Sequence, residues 1–247
     1  MKKKLAVIIL AAGKGKRLGG KSQKVVKKLL GRPMLIYLLD TLELLYPEKI
    51  VLIVGHKKEE VFEELRERKV EYAQQQVPRG TGDAVIKASG VMADYRGDVL
   101  ILCGDVPFIT ADTLKNLVKE HAASDNSSTI LTFNVDNPTG YGRIKRNGSG
   151  TVKSIVEELS ATEEERRIGE VNSGIYVFDK EELFTALNKV QPDPVKGEYY
   201  LTDVIEILSR EGKRIGTCTT GKPEECMGIN TEEDFIKAET LLKERIK

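Results

Sequence analysis

The chain has 247 residues, of which 40% are hydrophobic and 31% charged, with 39 Lys and Arg against 38 Asp and Glu. At about 150 residues per domain that is one large domain or one domain with an insertion. The apolar content and near-zero net charge exclude intrinsic disorder and a nucleic-acid binder relying on overall positive charge.

Lys2, Lys3 and Lys4 followed by the apolar run 5–12 have the outline of an export signal. The run leads straight into Gly13-Lys14-Gly15-Lys16-Arg17, which is unlike a cleavage site, and similar runs at 50–54 and 99–102 are also followed by Gly. All three are read as parallel strands buried on both faces. No run reaches the roughly 18 apolar residues a membrane span needs, so no membrane partner is expected. Residues 34–45 form a helix pattern opened by Pro33. An amphipathic helix follows at 59–68, a short strand at 70–73, a helix at 82–91, a strand at 98–102 and a helix at 111–121. This alternation predicts a doubly wound α/β sheet with helices on both faces.

After about residue 125 the rhythm changes. Segments 129–135, 142–145, 151–157 and 171–178 read as strands, with turns at Asn137-Pro138 and Asn147-Gly148. Helices are expected at 161–168, 181–189, 202–210 and 231–246. Cys103, Cys218 and Cys226 lack a C-x-x-C spacing, and the histidines are His56 and His121 alone. A disulfide framework or a Cys/His zinc site is therefore not expected, and reduced thiols in a cytoplasmic protein are.

Ligands of open α/β sheets sit at the carboxyl ends of the strands. The loop Leu10-Ala-Ala-Gly-Lys-Gly-Lys-Arg-Leu18 lies there, small enough for close backbone approach. Lys14, Lys16, Arg17, Lys21 and Lys24 give it the charge for a polyphosphate. Three patterns compete for it. The dinucleotide fingerprint G-x-G-x-x-G fails at Leu18. Gly15-Lys-Arg-Leu-Gly-Gly20-Lys21-Ser22 fits the P-loop pattern, although Gly31-Arg32-Pro33 would cut its helix short.

The third pattern is a family resemblance. The loop is similar to the L-A-A-G-x-G-T-R-M, then P-K, of sugar-nucleotide pyrophosphorylases (nucleotidyltransferases), in particular the uridylyltransferase half of bifunctional N-acetylglucosamine-1-phosphate enzymes. Gln75 ahead of Gly80-Thr81-Gly82 resembles Q-x-x-x-x-G-T-G. Gly104-Asp105-Val106-Pro107 matches G-D-V-P, and Asn137-Pro-Thr-Gly-Tyr-Gly-Arg-Ile144 matches N/D-P-T-G-Y-G-R-I. Glu170-Val-Asn172-Ser-Gly174 resembles E-I-N-T-G, Gly197-Glu-Tyr-Tyr-Leu-Thr-Asp203 matches G-E-Y-Y-x-T-D, and Gly228-Ile-Asn230 resembles G-V-N.

The resemblance implies a Rossmann-like nucleotide-diphospho-sugar transferase fold, a mixed, mostly parallel sheet flanked by helices. Residues 1–247 would form a single nucleotidyltransferase domain. Its nucleotide-binding half would be 1–125 and its β-rich sugar-binding half 126–230, with a C-terminal helix at 231–247 and no hexapeptide-repeat acetyltransferase domain. The implied partners are UTP and a sugar 1-phosphate, the implied activity is transfer of uridylyl to N-acetylglucosamine 1-phosphate, and the implied cofactor is Mg²⁺. Alternatives are the same chemistry with another sugar phosphate or base, thymidylyl or guanylyl, and the P-loop NTPase.

By the same resemblance, Arg17 and Lys24 would contact phosphates, and Lys24 would stabilise transition-state charge. The backbone of Leu10, Ala11, Ala12 and Gly13, together with Gln75, Gly80, Thr81, Cys103 and Gly104, would hold the nucleotide. Asp105 and Asn230 would ligate the metal. Gly142, Glu157, Asn172 and Asn230 would face the sugar. Three positions depart from the family pattern: Gln23 replaces Pro, Lys16 replaces Thr, and Cys103 replaces an aromatic residue. The charge is also unevenly spread. Residues 1–39 hold eleven Lys and Arg and no acid, leaving 28 basic against 38 acidic residues in the remainder.

Overall fold

The computed structural model describes residues 4–13, 15–18, 20 and 22–246. Lys14, Lys21 and the side chain of Lys16, counted above as loop charges, lie outside the described residues. The strands are β1 (Leu5–Ala11), β2 (Lys28–Leu29), β3 (Arg32–Pro33), β4 (Lys49–Val54), β5 (Glu71–Gln74), β6 (Asp98–Cys103), β7 (Ser128–Asn134), β8 (Arg143–Arg146), β9 (Val152–Val156), β10 (Glu170–Asp179) and β11 (Ile215–Thr219). The helices are α1 (Met34–Glu43), α2 (Lys58–Glu64), α3 (Thr81–Ile86), α4 (Ala111–Ala123), α5 (Glu163–Arg166), α6 (Lys180–Leu187), α7 (Asp203–Arg210) and α8 (Glu232–Ile246).

The main sheet runs β11-β7-β10-β6-β1-β4-β5, with β8 and β9 extending it from β10. Strand β1 lies between β4 and β6, parallel to both, with Ile8 opposite Val51 on one side and Ile101 on the other. Strand β10 runs antiparallel to β6 and β7, which makes the sheet mixed. The run 5–11 is thus a central strand.

The apolar runs are continuous because both faces of the sheet are covered. Ala6, Ile8, Val51, Ile53, Val99 and Ile101 point to one face, where α3, α6 and α7 bring Val85, Leu183, Leu187, Val204, Ile205 and Leu208. The alternate residues Val7, Ile9, Leu52, Val54, Leu100 and Leu102 point to the other, against Leu35, Leu38 and Leu39 of α1 and Leu114 and Leu117 of α4. A third cluster joins Leu18, Leu29, Met34 and Phe108 to Ile229, Ala238 and Leu242, so α8 packs on the segment that follows the first loop.

Some elements differ from expectation. Helix α3 ends at Ile86, and turns replace its expected last residues. Helix α5 is four residues long, started by a capping box between Thr162 and Glu165. Strand β11 was not anticipated; it adds at the edge, parallel to β7. Among the described residues no helix is long and apolar enough to cross a membrane.

Candidate active site

Strands β1, β4, β5 and β6 point their carboxyl ends the same way, and a cleft of about 280 Å³ opens there. Its lining includes Leu10 and Ala11 at the end of β1 with Ala12 and Gly13 beyond it, Lys24, Gln75 after β5, Cys103 at the end of β6 and Asp105 beyond it. Gly80 and Thr81 at the start of α3 also line it, as does Glu198. Residues separated by long stretches of sequence are thus gathered at one place.

The cleft is charged. Lys24 Nζ donates to Asp105 Oδ2 and, at 2.9 Å, to Asn230 Oδ1. The side chains of Lys24 and Asp105 are only 14% and 12% exposed, so this pair is little screened by water. Ile229 donates its backbone N–H to the Asp105 carbonyl at 3.0 Å, which ties the loop bearing Asn230 to the end of β6. Gly15 allows the loop to pass Lys24: its φ is +57°, and a Cβ there would lie 2.9 Å from the Lys24 Cβ.

Two uncharged oxygen-bearing groups fix the far wall. Gln75 is buried, and its amide nitrogen donates to Gly80 O at 3.0 Å and Asp83 Oδ2 at 2.7 Å. Both hydrogens are engaged, so its carbonyl oxygen is what it can offer a ligand. Gly80 has φ +96°, and a Cβ there would meet the Tyr199 backbone nitrogen at 2.8 Å. Thr81 accepts the Leu201 N–H at 3.0 Å, so its hydroxyl helps to seat the 197–203 loop beside the cleft.

Gly142, Glu157 and Asn172 also come together. A Cβ on Gly142 would lie 3.6 Å from both Asn172 Cβ and Glu157 Oε2. Asn172 donates to Tyr176 Oη at 2.7 Å and accepts from Gly174 N at 3.0 Å, so its amide is already bonded at both ends. The exposed Glu157 accepts from Thr202 Oγ1 at 3.2 Å. Strand β10 connects this group to the cleft: its register shifts between Asn172 and Tyr176, and Tyr176 then pairs with Ile101 of β6. Bulges of this kind re-aim side chains beside a site.

The Gly142 loop is held by a buried cation. Arg143 is 1% exposed and pairs with Glu158 at 2.6 Å. The hydrogen bond from Arg143, with a second from Gly140 N, holds the Glu158 carboxyl below its usual range.

Cys103 lines the cleft with its thiol held in the protonated form. Burial, with Asp105 beside it, pushes its thiol up to about 12, against the opposing pull of Lys24. Arg17 is exposed on the 3₁₀ turn Lys16–Leu18. A second 3₁₀ turn, Lys24–Val26, and the short β2-β3 ribbon follow Ser22. Among the described residues no α-helix opens at Gly20–Ser22, so the P-loop reading fails.

The donor set fits a hard divalent cation. Asp105 and Asn230 offer oxygens to one point, which the Lys24 ammonium now faces, and Gly228 beside them adds no side chain. Among the described residues no cluster of three His, Cys, Asp or Glu could hold a metal alone. Mg²⁺ suits such a site, since it is commonly held by one or two protein oxygens with water and substrate phosphates completing the shell.

A small-residue loop with a part-buried lysine–carboxylate–amide centre, at the carboxyl ends of a doubly wound sheet, has the make-up of a phosphate-binding site. The Nucleotidyl transferase family matches residues 6–225, and the chain belongs to that family. Bifunctional protein GlmU of Caldicellulosiruptor saccharolyticus is 45% identical over 247 residues, covering 100% of this chain and 53% of that protein. The Bacillus subtilis protein of the same name is 44% identical over 246 residues, covering 100% of this chain and 54% of its own. The chain thus spans about half the length of the curated relatives it matches. Among solved structures, UDP-glucose pyrophosphorylase complexed with UDP-glucose superposes with TM-score 0.76 at 17% identity over 98% of this chain and 99% of that one. The apo form of a UDP-glucose pyrophosphorylase gives 0.78 at 16%, over 99% and 100%. These likenesses establish the nucleotide-diphospho-sugar transferase fold.

Gln75, Lys24, Asp105 and Asn230 lie in motifs that mark them for function. Glu198, inside the 197–203 motif, lines the cleft without such a mark, and Gln23 stands out in the sequence only as a departure from the family's Pro. Buried at 2% exposure, Gln23 donates to the Ala11 carbonyl at 2.7 Å.

Proposed function

We propose that this chain transfers a uridylyl group from UTP to N-acetylglucosamine 1-phosphate, giving UDP-N-acetylglucosamine and pyrophosphate, in the cytoplasm and with Mg²⁺. The observation that carries the reading is the convergence of Lys24, Asp105 and Asn230 at the mouth of a cleft walled by Gln75 and Gly80. The resemblance to the GlmU proteins supports the choice of substrates.

The acceptor is a phosphate monoester whose second pKa is near 6, so it is ionised at neutral pH and needs no general base. A site without a histidine suits that chemistry. The barrier lies instead in bringing two anions together and in the charge that grows on departing pyrophosphate. The backbone from Leu10 to Gly13 cradles the nucleotide, and Arg17 and Lys24 supply positive charge to its phosphates. Asp105 and Asn230 would hold a divalent ion, which would supply further positive charge against the phosphates. Lys24 then has phosphate oxygens in place of Asp105 as partners.

The Gln75 carbonyl accepts from N3–H of uracil. Cytosine has an acceptor at that position and is disfavoured, since two facing acceptors leave a buried group unpaired. Gly142 leaves space for the sugar, and Glu157 and Asn172 lie beside that space.

The test is a panel of the four common NTPs and dTTP against N-acetylglucosamine, glucosamine, glucose and mannose 1-phosphates, followed by pyrophosphate release. UTP with N-acetylglucosamine 1-phosphate is expected to turn over fastest. Turnover of a different pair, with none of this one, refutes the assignment.

A further inference from the structure

Gln23 is held at two points, by its side chain and by its backbone. Its side chain donates to the Ala11 carbonyl at 2.7 Å, at the end of β1. Its own backbone N–H donates to Glu60 Oε2 of α2 at 2.6 Å. Its φ and ψ are −63° and 130°, the φ that a proline ring would enforce.

The arrangement has an unfavourable side. Gln23 Oε1 is buried with no hydrogen-bond partner among the described residues. An apolar side chain of the same size would avoid that loss. The amide is therefore poorly explained as core filling and well explained as a tether. On the other side of Lys24, Val25 is 3% exposed and would lie 3.0 Å from a Cβ on Gly104. With residues 23 and 25 anchored inward, Lys24 is left facing Asp105 and Asn230.

We infer that Gln23, braced by Glu60, is a positioning residue that holds Lys24 against the backbone of Leu10–Gly13. The inference rests on the reading that Lys24 meets the triphosphate. A lysine stem has four rotatable bonds, and its charge stabilises a transition state only if the backbone beneath it is held in place beforehand. Glu60 contributes a charge-assisted hydrogen bond, stronger than a neutral one. Together the two bonds hold by contact a backbone angle that a proline would hold covalently.

The test uses steady-state kinetics with the best substrate pair and hydrogen–deuterium exchange without substrate. Glu60→Ala is expected to lower kcat about tenfold while KM for the nucleotide stays within about threefold. In the Gln23→Pro background, where the ring fixes φ and no N–H remains for Glu60, the same substitution is expected to change kcat less than about twofold. Gln23→Leu should lower kcat like Glu60→Ala, without lowering the melting temperature, and Glu60→Gln should restore most of the rate. The amides of Val26 and Lys27, bonded to the carbonyls of Gln23 and Lys24, should exchange faster in Gln23→Leu and Glu60→Ala but not in Gln23→Pro.

Equal effects of Glu60→Ala in both backgrounds, or full kcat and unchanged exchange in Gln23→Leu, overturn the inference. If wild-type protein turns over no pair, the functional reading fails instead, and the exchange data still decide whether Gln23 positions Lys24.

Discussion

Asp105 makes two attachments at the centre of the site. Its carboxylate meets Lys24, and its carbonyl holds the loop that presents Asn230. Asp105→Ala keeps the carbonyl contact but removes the oxygen proposed for the metal and the anion facing Lys24. Turnover should fall at least about a thousandfold, since phosphoryl-group transfer depends on charge neutralisation. Far-UV circular dichroism should stay that of the parent; a fully active variant would refute the metal assignment. Asp203, at the start of α7, gives a prediction about pH. Burial, then the nearby Glu206, Glu157 and Asp193, raises its carboxyl from 3.8 to about 6. With the folded pKa above the unfolded one, the native state binds more protons than the unfolded chain between those values, so stability falls as pH rises through that window. Asp203→Asn should accordingly melt higher than the parent at pH 7, with the gain shrinking as pH falls from about 6 towards about 4. A melting curve at each pH decides it, and a variant no more stable at pH 7 rejects the account.

At the scale of elements, legibility followed burial. Strands β1, β4 and β6 could be read from sequence because sheet faces covered on both sides require unbroken apolar runs. Strand β11, Ile-Gly-Thr-Cys-Thr, buries little besides Ile215 and sits at an edge, so no such run marks it. Of the expected helix 161–168 only α5 forms, and none of its four residues is buried; its capping box, legible as Thr162 and Glu165, sets the start but not the length. The site was legible in a different way. Lys24 meets partners 81 and 206 positions away, and no periodicity reports on contacts at that distance in sequence. Ordered motifs named those residues, whereas the Gln23–Glu60 bond is absent from any motif because Glu60 reads as an ordinary surface acid of an amphipathic helix.

At the scale of the whole molecule, the divided charge of the sequence is stitched together by the fold. Lys4 pairs with Glu48, Lys24 with Asp105, Lys27 with Glu232, Lys28 with Glu64 and Arg32 with Asp40, so cations of the first 39 residues meet acids from the rest of the chain. The Lys27–Glu232 pair is exposed, and such pairs contribute about 0–1 kcal/mol. It cannot by itself hold α8 on the first loop. The apolar cluster must do so: Ala238 is fully buried and Leu242 is 8% exposed, both packed with Leu18, Leu29 and Met34. Because Asn230 lies two residues before α8 and Asp234 of that helix accepts the Asn230 N–H at 2.9 Å, loosening the helix also frees a proposed metal ligand. Leu242→Ala should therefore cost about 2–4 kcal/mol in equilibrium urea unfolding, and its kcat should fall further than its secondary structure does. Ile236 lies on the same helix but is 66% exposed, so Ile236→Ala should stay within about 0.5 kcal/mol of the parent. Equal effects of the two substitutions would mean that α8 is not held by this cluster.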